Sequence, residues 1–137
     1  MLSNFFGTGF LFMYLKSEGM LMIHLVTDSC ADIPGYLLQK YNITVVPLSI
    51  RVNGKEYVEG VDITPTEFYR EMEIASELPK TSQPTPDQYA KTFQKLAETG
   101  DVLCLTVSSK LSGSYNSANL GGGIAGKSNI AVFDTLS

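Results

Sequence analysis

DVLCLTVSSKLSGSYNSA, residues Asp101 to Ala118, passes from an apolar strand through a polar loop into a helix. DVLCLTV reads as a buried strand, and the helical segment runs from about Ser112 to Ile124. At such a handover, backbone N–H groups without partners and the helix dipole favour an anion. Ser108, Ser109, Ser112, Gly113 and Ser114 occupy it. A second run, TSQPTP from Thr81 to Pro86, places Thr81 and Ser82 in a loop just ahead of another helix. The two runs read as two jaws of one anion-binding pocket. A carboxylate suits it, because hydroxyls and amides donate hydrogen bonds and no base is present to activate a nucleophile. Helix capping and turn chemistry are the competing reading of the same residues.

Working outward, strand and helix patterns alternate from Met22 onward, which predicts an α/β fold with a mostly parallel sheet flanked by helices. IHLVTD (Ile23–Asp28) is the first strand, followed by a helix with Asp32 as its N-cap and Pro34 near its first turn. ITVVPLSIRV (Ile43–Val52) is a second extended stretch that Pro47 places at an edge or bends. Asn53-Gly54 is a two-residue hairpin turn. Thr64 with Glu67, and Thr85 with Gln88, form capping boxes that open two helices. The second helix runs to about Glu98, with Tyr89, Phe93 and Leu96 on its core face, and Gly100 stops it. NIAVFD (Asn129–Asp134) is the last strand.

The 137 residues, 44% hydrophobic and 18% charged, fit one domain with one core. A net charge of −4 and the lack of a Lys/Arg cluster exclude nucleic acid as a partner. Two cysteines, Cys30 and Cys104, are too few for a disulfide framework and fit a reducing cytoplasm. Residues 1–21 form an apolar N-terminal extension, without the positive charge of a secretory signal and with too short an apolar run to span a bilayer. No stable membrane insertion is expected. Residues 22–137 are the α/β domain.

Several catalytic readings fail on context. Gly121 to Ser128, GGGIAGKS, matches the P-loop pattern, but a P-loop needs a strand before it and a helix after it. Here a helix leads in and a strand follows, so Gly126 reads as a helix stop and Lys127 as favourable charge at a helix C-terminus. A P-loop nucleotide hydrolase using Lys127 and Ser128 stays as the alternative that a helix starting at Ser128 would support. His24, the one histidine, lies within a strand, and no G-x-S-x-G elbow is present. Asp28, Asp32 and Asp62 lack metal-ligand spacing, so neither a metal nor a cofactor is expected. Asp28 retains interest because ligands bind outside the carboxyl ends of strands in open α/β sheets; capping of the next turn is the competing reading.

VTDSCADIP (Val26–Pro34), VPLSI (Val46–Ile50), VNGKEYVEGVDIT (Val52–Thr64), TSQP (Thr81–Pro84) and SSKLSGSY (Ser108–Tyr115), in this order, resemble the DegV family of bacterial fatty-acid-binding proteins. The resemblance runs from Met22 to the end of the chain and implies a non-catalytic carrier. A long-chain fatty acid would lie with its tail in an apolar tunnel. Thr81, Ser82, Ser112, Gly113 and Ser114 would hold its carboxylate. In some members of the family a separate fatty acid kinase then phosphorylates the bound acid. The chain spans about half the family's usual length and corresponds to the N-terminal half of the two-domain pattern. A domain without binding activity is therefore a further alternative, and the exposed tunnel wall could pair with another copy or take the N-terminal extension.

Overall fold

The computed structural model describes residues 22–137. The apolar extension at residues 1–21 lies outside the described residues. Seven strands and four helices follow in the order β1 (Ile23–Asp28), α1 (Gly35–Tyr41), β2 (Thr44–Val46), β3 (Ser49–Val52), β4 (Lys55–Val58), α2 (Pro65–Glu73), β5 (Lys80–Ser82), α3 (Pro86–Ala97), β6 (Asp101–Thr106), α4 (Ser114–Ala125) and β7 (Ile130–Asp134).

The strands form two sheets. A four-stranded sheet has the order β2-β1-β6-β7, and all its pairs are parallel. A three-stranded antiparallel sheet has the order β4-β3-β5. Alternate residues of β1 and β6, Val26, Val102 and Cys104, point to one face of the parallel sheet and are buried with Tyr89 and Phe93 of α3 and Ala118 and Ala125 of α4. α3 and α4 lie against each other closely enough that a β-carbon on Gly121 would meet Tyr89 Cβ and the Pro86 carbonyl. The opposite face keeps Leu105 and Phe133, direct neighbours across β6 and β7, 40% and 56% exposed.

Most local signals act as the sequence predicts. Asn53 and Gly54 take the positive φ values of 51° and 74° that a tight hairpin needs. Both capping boxes form, with Thr64 receiving Glu67 N–H and Thr85 receiving Gln88 N–H while each partner side chain reaches back. Three expectations are corrected. Ile43–Val52 is not one extended stretch: Pro47 and Leu48 break it, so β2 joins the parallel sheet and β3 the antiparallel one. Proline has no N–H to give to a continuing ladder, which makes this the natural place to change sheets. Asp32 is not an N-cap. It closes a short 3-10 turn over Ser29–Ala31 in the left-handed conformation at φ 45°, and α1 starts behind Pro34 without a side-chain cap. Finally, Thr81 and Ser82 lie in β5 rather than in a loop. Three polar residues carry no alternation, and only pairing with Ser49–Arg51 of β3 makes them a strand.

Candidate functional site

Chain connections run from β1 to its neighbour β2 on one side and from β6 to β7 on the other, so the parallel sheet has its switch point between β1 and β6. Ligand crevices in open α/β sheets form at the carboxyl ends of such strands. The polar residues that end these strands are buried: Thr27 and Asp28 on β1, Thr106 on β6, Ser108 beyond it, and Ser114 at the start of α4.

Asp28 closes the bottom of the crevice. One carboxylate oxygen accepts Cys30 N–H at 3.0 Å and the other accepts Val107 N–H at 3.1 Å, which ties the end of β1 to the end of β6. Capping of the next turn and a place at the crevice thus both hold for this residue. Burial, with the negative charge of Asp28 second, pushes the Cys30 thiol up to about 11; the same two causes push Cys104 up to about 12. His24 is satisfied in its strand by Thr99 Oγ1 at 2.8 Å, and burial lowers its pKa.

The loop between β6 and α4 is tied down by its own hydroxyls and carbonyls and by the chain end, where Ser108 N–H donates to the Ser137 carbonyl and Ser109 N–H to the Asp134 carboxylate. Ser108 Oγ accepts Lys110 N–H, and its carbonyl accepts the N–H groups of Leu111 and Ser112. Ser112 Oγ accepts Ser114 N–H at 3.2 Å and lies 3.0 Å from Ser114 Oγ. Gly113 is the N-cap position of α4 and offers no side chain. Tyr115 and Asn116 N–H, in the first turn of α4, have no hydrogen-bond partner among the described residues. Ser112 therefore does the capping that the competing reading assigned to it, yet the end of α4 keeps donors to spare.

The two predicted jaws meet through Gly113. A β-carbon there would run into the side-chain amide of Gln83, the residue that follows Thr81 and Ser82. Within β5 the two hydroxyl residues part, because successive residues alternate faces. Thr81 stands opposite Ile50 of β3 and shares its face, whereas Ser82 stands opposite Ser49 on the other.

Ile50 also lines a groove of about 660 Å³ between the end of the parallel sheet and the unit made by α2 and the small sheet. Leu38, Val45, Ile63 and Phe68 supply much of its apolar wall, and Thr27, Asp28 and Glu59 its polar end. Its size and lining suit a small apolar ligand with one polar end. The five predicted site residues lie outside this lining. Thr81 comes nearest in register, through Ile50. Sequence reasoning missed Gln83, which the fold brings against Gly113 and whose only signal was its place inside TSQP.

The P-loop alternative is removed. Gly121 to Ala125 lie inside α4, Gly126 ends it at φ 65° with its N–H on the Gly122 carbonyl, and the chain goes on to β7 rather than to a helix at Ser128. No phosphate cradle can form within a helix whose amides are already bonded.

A parallel sheet of this order, with a small antiparallel sheet beside its carboxyl edge and a hydroxyl-rich helix start at its switch point, defines an open-sheet α/β domain. The chain belongs to the DegV family, described as an uncharacterised protein family, whose model matches residues 22–137. It is 40% identical over 114 residues to a DegV domain-containing protein of Caldanaerobacter subterraneus, covering 82% of this chain and 40% of that one. Among solved structures it resembles a stearic acid-binding protein from Eubacterium ventriosum, with a TM-score of 0.76 and 37% identity over 82% of this chain and 41% of the other. It also resembles the fatty acid kinase B3 protein of Streptococcus pneumoniae loaded with linoleic acid, with a TM-score of 0.68 and 26% identity over 85% and 43% of the two chains. The chain thus spans about two-fifths of the length of these relatives. Among the described residues no helix is long and apolar enough to cross a membrane.

Proposed function

We propose that residues 22–137 form the head-group half of a non-catalytic, cytoplasmic fatty-acid carrier whose cargo is a long-chain fatty acid and whose partner is a separate fatty acid kinase. Thr81, Ser82, Ser112, Gly113 and Ser114 hold the carboxylate in this reading, and the apolar groove takes part of the tail. The observation that carries it is the contact of Gly113 with Gln83, which brings the two hydroxyl runs to one place across 29 intervening positions of chain. The groove beside Thr81 and the open N–H groups of Tyr115 and Asn116 support it further. So do relatives described as stearic acid-binding and as loaded with linoleic acid. Burying an alkyl tail contributes about 0.8 kcal/mol per CH₂, so the head group needs satisfied hydrogen bonds more than it needs a strong ion pair.

Native mass spectrometry of the purified chain, followed by extraction, tests this reading. A long-chain fatty acid bound one per chain, and lost on Ser114→Ala, is the expected result. A chain that takes up no fatty acid when it is supplied, or whose Ser114→Ala variant binds as before, overturns it.

A further inference from the structure

The two faces of the parallel sheet are unequally covered. The connection through α4 runs from β6 to β7 and that through α1 from β1 to β2, in opposite directions across the sheet, so right-handed crossovers put the two helices on opposite faces. α3 and α4 pack on the face of Val26, Val102 and Cys104. On the other face α1 is seven residues long and serves the β2 side, where its Leu38 and Val45 of β2 line the groove together. Over β6 and β7 the side chains stay open: Leu105 and Phe133 are exposed, as is Ile23 at the start of β1, while Leu25 and Leu103 are half-buried. The register makes these five one patch, with Leu25 beside Leu103 and Leu105 beside Phe133.

We propose that this patch is the docking face of the chain's own N-terminal extension, whose residues 5–15, FFGTGFLFMYL, cover Leu105 and Phe133. The extension joins the sheet at the right point. The Met22 carbonyl accepts Asp101 N–H at 2.8 Å, and a β-carbon on Gly100 would run into Met22, so the chain enters pinned at the starts of β1 and β6, the two central strands. Lys16-Ser17-Glu18-Gly19 is the polar, glycine-ended break at which an apolar chain can reverse. Residues 16–21 reach about 20 Å when extended, twice the spacing of about 10 Å between packed layers. The eleven apolar-rich residues then run about 16 Å as a helix, and further when extended, against about 20 Å for a strand of the length of β6. The area selects this occupant over a second copy. Three strands about 4.8 Å apart and about 20 Å long make a face of roughly 300 Å². A stable dimer buries about 800 Å² on each partner, whereas a tethered segment needs no such area because its ordering is intramolecular. The inference is independent of the fatty-acid reading.

Thiol alkylation on the whole 137-residue chain tests the docking, in a Cys30→Ser background that leaves only the buried Cys104 of the native thiols. Phe133→Cys puts a thiol in the patch, and Leu120→Cys puts one on the outer side of α4; the parent side chains are 56% and 61% exposed, so without the extension the two thiols would react alike. Leu105→Cys repeats the reading with Phe133 kept. N-ethylmaleimide is expected to modify the patch thiols at least about tenfold more slowly than the α4 thiol, equally at protein concentrations about a hundredfold apart. Adding Phe10→Asp and Phe12→Asp, which leave residues 22–137 unaltered, is expected to restore the fast rate. Equal rates for patch and α4 thiols overturn the proposal. Protection that fades on dilution identifies a second copy as the cover and overturns it too, as does protection that survives the two aspartates.

Discussion

Replacing Gly121 by alanine tests the packing on which the site stands. An ideal β-carbon at this position lies 2.6 Å from Tyr89 Cβ, 2.8 Å from the Pro86 carbonyl oxygen and 3.1 Å from Ala90 N. Non-bonded heavy atoms sit about 3.5 Å apart or more, so the shortfall is close to 1 Å, and two of the three obstacles are backbone. No rotamer relieves it; α3 and α4 must separate. Overpacking of this kind costs about 1–3 kcal/mol, while alanine regains about 1 kcal/mol of helix propensity over glycine. At the middle of the overpacking range the net loss is about 1 kcal/mol. Gly123, two residues on in the same helix, has nothing within 4 Å of such a β-carbon, so Gly123→Ala should stabilise by about 0.5–1 kcal/mol. Urea unfolding followed by circular dichroism measures both. Their midpoints should fall on opposite sides of the parent and differ by about 1 M, given an m-value near 1.5 kcal/mol/M. A Gly121→Ala variant at least as stable as the parent would refute the close approach of the helices.

Three further outcomes are expected. Asp28→Asn turns an NH₂ toward Cys30 N–H or Val107 N–H and should cost about 1.5–3 kcal/mol in the same unfolding assay, whereas an unchanged midpoint would mean that the carboxylate does not tie β1 to β6. With its thiol pushed up to about 11, Cys30 should be alkylated by iodoacetamide at pH 8 at least about a hundredfold more slowly than a free cysteine, despite its exposure; mass spectrometry of quenched samples gives the rate. The native state favours neutral His24, so the unfolded chain binds the extra proton first. The stability His24 contributes is then full above its unfolded pKa of about 6.5 and is lost as the pH falls from there through the lowered native value. A histidine ring resonance titrating at or above pH 6.5 in the folded chain would contradict this.

How far the sequence reached depends on whether a signal was local. Asn53-Gly54 and the two Thr boxes specify their own geometry within four residues, and each forms as read. Pro47 announced a bend but not its outcome, because a change of sheet depends on which strands lie ready on either side. β5 was illegible for the same reason: Lys80-Thr81-Ser82 is a strand only because β3 offers it an edge. Of the candidate site, the helix start at Ser112–Ser114 followed from the polar handover, while resemblance added the carboxylate role of each residue; a place just ahead of a capped helix picked out Thr81 and Ser82. That they alternate faces could be known only from the register. Helical spacing placed Tyr89 on the core face correctly, and its ring is fully buried there. GGGIAGKS shows the converse case, in which a pattern linked to phosphate is used for helix packing at Gly121 and for a helix stop at Gly126.

The passage of the backbone through Pro47 and Leu48 has a mechanical consequence. These two residues join β2, in one wall of the groove, to β3, in the other, so both walls belong to a single ribbon folded at one crease. Proline fixes its own φ, and Leu48 N–H is held by Ser29 Oγ at 3.0 Å, while the Ser29 hydroxyl in turn donates to Glu59 beyond β4. The crease is thus clamped on both sides. The walls of the groove cannot part in parallel; any widening swings the small sheet about this line, opening the groove as a book opens from its spine.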